Sequence, residues 1–182
     1  MKNAVIIHGW GADSKSNWFP WLKTELEKQG IRISVPDFPN SQNPVLSEWL
    51  HYFEKNVQVD QNTILIGHSL GVSFILHLLE HLPPNKKIKA AFLVATFDRS
   101  LAIPEIENFV DKPFNWQKIK TLCKKFFVIN SDNDPYIPIE IGENLAKNLD
   151  TKLIIEHNGE HLSNPDGMLG YPKLLEHILR SG

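Results

Sequence analysis

Three side chains of the types used in acyl transfer occur along this chain in the order serine, aspartate, histidine. Ser69 is the middle residue of Gly67-His68-Ser69-Leu70-Gly71, and Asp134 and His161 follow in two later loops. A serine hydroxyl becomes a useful nucleophile when a base accepts its proton and a carboxylate holds that base in one tautomer. Ser69, Asp134 and His161 are therefore candidate catalytic residues.

The pentapeptide around Ser69 is predicted to lie at a sharp turn from a strand into a helix. An apolar run over 63–66 precedes it, and apolar residues at helical spacing follow it. The two glycines suit such a turn because larger side chains there would collide with the neighbouring strand and helix. The turn would expose the Ser69 hydroxyl and place the amide of Leu70 at the head of the helix. An ordinary glycine-rich turn with a capping serine is the alternative.

A second glycine-containing turn, His8-Gly9-Trp10-Gly11, follows the first apolar run of the chain at 4–7. Glycines directly after a strand allow backbone N–H groups to face a ligand. The amides of Trp10 and Leu70 are therefore predicted to form an oxyanion hole. A simple glycine turn is the alternative interpretation of this motif.

Each of the two later candidates has a rival close by in the sequence. Asp132 lies two residues before Asp134, and His157 lies closer than His161 to the preceding apolar run. The segment 157–161 also spells H-x-x-E-H, a zinc-protease pattern that requires both histidines on one face of a helix. Asn158-Gly159 at its centre favours a turn instead, so no metal site is predicted.

Short apolar runs alternate with helical patterns along the whole chain. This alternation predicts the α/β class, with one domain over 1–182 built on a mainly parallel six-stranded sheet flanked by helices. Ser69, Asp134 and His161 follow the third, fifth and sixth of these runs, so they are expected to meet at the carboxyl edge of the sheet. The runs that predict strands are 4–7, 31–35, 63–66, 88–95, 126–129 and 152–156.

The segment 96–125 is the longest connection between predicted strands, and it is rich in aromatic residues. Long connections of this kind commonly form lids or binding segments. The segment is therefore predicted to act as a short lid or to line the pocket, with Phe97, Phe114 and Trp116 binding substrate. The alternative is an aromatic helix pair that only adds to the core.

Composition excludes several other functional classes. The chain has 182 residues, a formal net charge of -2 and a single cysteine, Cys123, expected to be a buried thiol. The low net charge gives no electrostatic footprint for nucleic acid, because acidic residues balance the lysine clusters, and no apolar run is long enough for a membrane span. A lone cysteine gives no support for an oxidising compartment, so a cytoplasmic location is expected. Neither a cofactor nor a membrane or nucleic-acid partner is predicted; a protein partner stays open.

Taken together, these motifs resemble the α/β-hydrolase superfamily, and more narrowly the small serine hydrolases of the retinoblastoma-binding-protein type. The resemblance covers nearly the whole chain and implies a minimal sheet, with Ser69 as nucleophile, Asp134 as orienting acid and His161 as base. Glu160 departs from the small residue expected before the histidine, and a carboxylate there could draw the imidazole away from Ser69. The features that carry the resemblance are the His8-Gly9 turn, the Trp18–Leu22 helix, the 36–40 loop, Trp49, the Gly67–Gly71 turn, the 109–120 segment with Pro113 and Trp116, and Asp134-Pro135 with Pro138.

The function expected from this resemblance is that of a serine hydrolase acting on a small-molecule acyl substrate. It would cleave small ester, thioester or amide substrates, as a carboxylesterase does, through an acyl-enzyme on Ser69. A hydrolase-fold protein-binding module with weak or no catalysis is the alternative, because a fold does not determine a function.

Overall fold

The computed structural model of the protein describes residues 2–163 and 167–181. Six strands form one sheet in the order β2-β1-β3-β4-β5-β6, and every neighbouring pair among them is parallel. The predicted single-domain α/β fold with a six-stranded parallel sheet is confirmed. The strands are β1 Asn3–Ile7, β2 Arg32–Ser34, β3 Thr63–His68, β4 Ala90–Val94, β5 Phe126–Ser131 and β6 Leu153–Glu156.

Helices cover both faces of the sheet, as parallel strands buried on both sides require. Helices α1 and α6 pack on one face, and α2, α3, α4 and α5 pack on the other. None of the described helices is long and apolar enough to cross a membrane. The helices are α1 Phe19–Lys28, α2 Leu46–Asn56, α3 Leu70–His81, α4 Trp116–Leu122, α5 Ile139–Asn148 and α6 Pro172–Arg180, with a 3₁₀ helix over Pro104–Phe109.

Strand β1 shows how one apolar run supplies both cores. Val5 and Ile7 point into the core beneath α2 and α3, while Ala4 and Ile6 point into the core beneath α1 and α6. Helix α3 is buried along most of its length because it lies between the sheet, α2 and α4. Its apolar sequence therefore reflects a central position, and this fixes the direction in which the helix leaves Ser69.

Two strands extend further than their apolar runs predicted. β3 continues through Gly67 and His68, which pair with Leu93 and Val94 of β4. β5 continues to Ser131, which pairs with Glu156 of β6. Backbone hydrogen bonding extends these strands even though their last residues are polar, and the polar ends lie at the carboxyl edge where the candidate residues meet.

The segment 96–125 packs against α3. Its 3₁₀ helix and α4 both contact α3, and Phe109, Phe114 and Ile119 are buried in the core on that side. The aromatic side chains of the segment thus contribute to the core. This is the arrangement that the alternative interpretation of the segment predicted.

Candidate active site

The structure brings Ser69, His161 and Asp134 into one hydrogen-bonded chain. His161 Nε2 lies 3.1 Å from Ser69 Oγ, and His161 Nδ1 lies 2.8 Å from Asp134 Oδ2. A carboxylate can only accept, so Nδ1 carries the proton and Nε2 is left to accept the Ser69 hydroxyl proton. A hydroxyl, an imidazole and a carboxylate in this order are the elements of serine-based acyl transfer.

Ser69 occupies a strained backbone conformation between β3 and α3. Its φ is 56° and its ψ is -120°, a combination that non-glycine residues rarely adopt. Its amide donates to the Val94 carbonyl at 2.9 Å, which ties the turn to β4. A Cβ on Gly71 would lie 2.3 Å from the Ile7 carbonyl oxygen, so the turn requires glycine there. The predicted strand-to-helix turn is thus present.

The loop that follows β1 lies directly against Ser69. A Cβ on Gly9 would be 3.2 Å from the Ser69 Cβ, so the chain passes here at a distance that suits glycine. This approach places the loop carrying the Trp10 amide beside Ser69, while Leu70 begins α3 immediately after it. Both predicted oxyanion donors therefore come from segments that adjoin the Ser69 side chain.

His8 fixes the conformation of this loop. Its Nδ1–H donates to the Gly9 carbonyl at 2.8 Å, and its Nε2 accepts from the Phe38 amide at 3.0 Å. The side chain is fully buried beside Phe38 and Trp49, and burial lowers the pKa of His8 below its usual 6.5. His8 is therefore a neutral imidazole in one tautomer, and it lies in the core next to the site.

Asp134 is held as a buried acceptor. Its side chain is 0% exposed, and Oδ1 accepts from the amides of Tyr136 at 2.9 Å and Ile137 at 3.1 Å. Oδ2 is thereby left for His161. These backbone bonds orient the carboxylate, so its direction does not depend on a flexible partner.

The rival residues pair with each other. Asp132 Oδ2 lies 2.6 Å from His157 Nδ1, and the His157 side chain is 76% exposed. The hydrogen bond with His157 is the main reason that the pKa of Asp132 falls below its usual value. Asp132 and His157 thus form a separate surface pair, while Asp134 and His161 lie with Ser69.

Three consecutive side chains at the end of β5 bind three consecutive backbone amides, 158–160, in the loop that carries His161. We call the side chains of residues 131–133 the anchor residues. They set where the histidine loop lies relative to β5, so they control the position of His161. The three bonds are Gly159 N–H to Ser131 Oγ at 2.9 Å, Asn158 N–H to Asp132 Oδ1 at 2.9 Å and Glu160 N–H to Asn133 Oδ1 at 2.9 Å.

Glu160, the residue that departs from the family pattern, does not draw the imidazole away from Ser69. Its side chain is exposed, and its φ of 50° places it in the left-handed region. Asn158 and Leu162, with φ of 55° and 53°, have the same conformation. The bond from the Glu160 amide to Asn133 helps to hold this strained loop, and His161 faces Ser69.

The imidazole of His161 is packed between two further rings. The His68 and Tyr136 rings each lie 5.1 Å from it, at angles of 68° and 86°. His68 Nε2–H also donates to the His161 carbonyl at 3.0 Å, while its Nδ1 lies 3.4 Å from Asn17 Nδ2. Ring packing and a backbone bond therefore fix both the ring and the main chain of His161.

A cavity of about 430 Å³ opens beside Ser69, and its lining differs from the prediction. Phe97 and Phe114 are 1% and 6% exposed in the core beside α3, and Trp116 packs against the same core. These three predicted substrate-binding residues do not line the cavity, because their apolar surface is used in packing. The residues that do line it are Gly9, Trp10, Gly11, Ala12, Ser16, Asn17, His68, Ser69, Tyr136, His161 and Ser163.

Two groups of residues at the site were not predicted from the sequence. Tyr136 follows Asp134-Pro135 in a turn-rich loop after β5. Its place two residues after the candidate acid is the sequence feature that could have predicted its position at the site. Ser131 is the last residue of β5 and Asn133 lies in the loop that follows, so both were available as polar residues at a strand end. Their hydrogen bonds to 158–160 cannot be read from spacing because they join distant loops.

The H-x-x-E-H segment does not form a helical zinc site. His157 and His161 lie in a turn after β6, and each pairs with its own aspartate. Among residues 2–163 and 167–181, no group of three or more histidine, cysteine, aspartate or glutamate side chains is placed to hold a metal ion.

Comparison with known proteins supplies the family. A family model described as serine hydrolase matches residues 4–180. YdeN of Bacillus subtilis (strain 168) is 34% identical over 173 residues, covering 94% of this chain and 91% of YdeN. Serine hydrolase RBBP9 of Rattus norvegicus is 27% identical over 168 residues, covering 90% of this chain and 88% of RBBP9.

A solved structure agrees with this assignment. The crystal structure of the ydeN gene product from B. subtilis superposes with a TM-score of 0.94 at 31% identity, covering 100% of this chain and 98% of that one. The likeness extends over the length of both chains. The chain belongs to the serine hydrolase family.

Proposed function

We propose that this protein hydrolyses small carboxylic ester, thioester or amide substrates through an acyl-enzyme on Ser69. The observation that carries the proposal is the chain of hydrogen bonds from Ser69 through His161 to the buried Asp134. The adjoining cavity gives a substrate carbonyl access to Ser69. Membership of the serine hydrolase family supports hydrolysis in general.

In the proposed reaction, Ser69 Oγ attacks the substrate carbonyl while its proton passes to His161 Nε2. The imidazolium that forms is stabilised by Asp134, and it then protonates the leaving alcohol, thiol or amine. Water, deprotonated by the same imidazole, attacks the acyl carbon and releases the acid. Ser69 regains its proton at the end of the cycle, so the chain needs no added cofactor for these steps.

The negative charge on the tetrahedral carbonyl oxygen would be stabilised by the amides of Trp10 and Leu70. Leu70 begins α3, and a helix N-terminus favours a negative charge. Gly9 supports this assignment because its close approach puts the Trp10 loop against Ser69. An oxyanion donor of this kind is worth about 3 kcal/mol of the barrier.

A fluorophosphonate probe tests the nucleophile directly. The native protein should gain one phosphonyl group by intact mass, and Ser69→Ala should gain none. Ser73→Ala, which removes a buried hydroxyl four residues further along, is the matched control and should label as the native protein does. Failure to label the native protein would reject Ser69 as nucleophile and favour the binding-module alternative. Unchanged labelling of Ser69→Ala would reject Ser69 and assign the reactive nucleophile to another residue.

The acyl-enzyme has its own measurement. Short p-nitrophenyl esters mixed with the native protein and quenched in acid should leave a mass gain of one acyl group on Ser69. Hydrolysis at the native rate by Ser69→Ala would instead support direct attack by water.

A further inference from the structure

Two aromatic side chains differ by their exposure from the other aromatics that the structure describes. The sequence contains 5 Trp, 3 Tyr and 10 Phe residues, and most of them lie in the two cores. Among the described residues, Trp10 at 41% and Tyr136 at 65% are the aromatics that count as exposed. Both line the cavity beside Ser69. Exposed large apolar groups that converge on one cavity indicate a binding role.

Hydrogen bonds and a ring contact position the two residues. The Trp10 indole N–H donates to the Gln42 carbonyl at 2.8 Å. The Tyr136 amide donates to Asp134 Oδ1 at 2.9 Å, and its ring meets the His161 ring nearly at right angles. The two aromatic rings therefore come from the β1 and β5 loops, with Ser69 and His161 in the same cavity.

The rest of the cavity lining combines small residues with the polar side chains of Asn17, His68 and Ser163. None of the described residues that line the cavity is Lys, Arg, Asp or Glu. Its volume of about 430 Å³ lies within the range of small-ligand sites. A site with aromatic groups and no charged side chains suits a flat, neutral ligand better than an ionic one.

We propose that Trp10 and Tyr136 bind an uncharged aromatic ring of the substrate beside the carbonyl that Ser69 attacks. This inference names the substrate class of the proposed hydrolase and so rests on that proposed function. Contact between aromatic rings adds to the effect of buried area, by about two- to tenfold in affinity for each ring. A saturated ring of similar size gains affinity only from the apolar area that it buries.

Benzyl acetate and cyclohexylmethyl acetate form a matched pair for the test. Both are neutral, and a methylene separates the ring from the ester oxygen, so the leaving groups have similar reactivity. The native protein should show kcat/KM about tenfold higher for benzyl acetate. Tyr136→Leu and Trp10→Leu should each lower that ratio at least twofold, and Tyr136→Phe should keep it, because Phe retains the ring.

The ratio within one variant separates ring recognition from damage to catalysis, since any disturbance of His161 or of the Trp10 amide affects both esters. A native ratio near one, or an unchanged ratio in both leucine variants, would overturn the inference. The same ring with a 4-carboxylate should react at least tenfold more slowly than benzyl acetate. Equal reaction would overturn the requirement for an uncharged ring.

Binding to Ser69→Ala keeps this inference distinguishable from the proposed function. The indole N–H resonance of Trp10, followed by NMR, should shift at a lower concentration of benzyl acetate than of cyclohexylmethyl acetate. If the fluorophosphonate does not label Ser69 of the native protein but this difference in binding appears, the hydrolase proposal fails and the aromatic site stands. If the two esters bind equally, the aromatic site is rejected whatever the hydrolytic activity.

Discussion

Asp134 and Asp132 are two carboxylates in one loop with different surroundings. Asp134 is buried and accepts two backbone N–H bonds as well as His161, whereas Asp132 pairs with the exposed His157. Backbone bonds and burial give Asp134 one orientation, and this is what an orienting acid needs. The exposed pair is screened by water and contributes little to the field at Ser69.

Asp134→Asn should therefore lower kcat/KM by about 10⁴-fold, because an amide donating to Nδ1 would favour the wrong tautomer of His161. Steady-state hydrolysis of a p-nitrophenyl ester measures the effect. Asp132→Asn is the matched control: it keeps an oxygen for the Asn158 amide and should change kcat/KM by less than about threefold. A larger loss in Asp132→Asn than in Asp134→Asn would show that Asp132, and not Asp134, is the orienting acid.

The anchor residues 131–133 connect two structural elements, since they join the end of β5 to the loop after β6. Ser131 is fully buried, and its hydroxyl accepts from Gly159 and donates to Asn133 Oδ1 at 2.7 Å. Loss of this hydroxyl would leave the Gly159 amide without its acceptor and Asn133 Oδ1 without one of its donors. The histidine loop, with its three left-handed residues, would then lose part of what holds its conformation.

Ser131→Ala should lower kcat about tenfold or more with a smaller change in KM, because His161, the proposed base, would be misplaced while the cavity remains. Ser73→Ala is the matched control, since Ser73 is equally buried and donates one bond to the Phe97 carbonyl at 2.9 Å. Each variant should lose about 1–2 kcal/mol of unfolding free energy. Faster hydrogen exchange at 158–160 should appear only in Ser131→Ala. Equal loss of kcat in both variants would show a general stability effect instead.

The sequence predicts the secondary-structure elements of this site well. It does not predict the directions in which individual side chains point. Apolar runs located the six strands, and the chain order of Ser69, Asp134 and His161 predicted that they follow strands at one edge. Phe97, Phe114 and Trp116 were predicted at the pocket because the length of 96–125 does not show which surface it covers. Tyr136 was not predicted because exposure is a property of the folded loop.

At the scale of the whole molecule, two buried histidines link stability to pH. His8 lies in the core beneath the Gly9 loop, and His77 on α3 donates through Nε2–H to the Phe109 carbonyl at 2.9 Å. Burial is the main cause that lowers the pKa of each below 6.5, because it disfavours the charged imidazolium. Glu80 and Asp111 oppose this shift at His77 without reversing it.

The unfolded chain therefore binds more protons than the folded protein as the pH falls below 6.5. Stability is full above that pH and is lost as the pH falls from 6.5 through the lower folded-state pKa values, at up to about 1.4 kcal/mol per pH unit for each histidine. His77→Gln, which can still donate to the Phe109 carbonyl, should make this decline shallower. Urea unfolding between pH 7.5 and 5 measures it, with His51→Gln on the exposed face of α2 as the matched control. A decline equally steep in His77→Gln and the native protein would show that other groups cause the acid sensitivity.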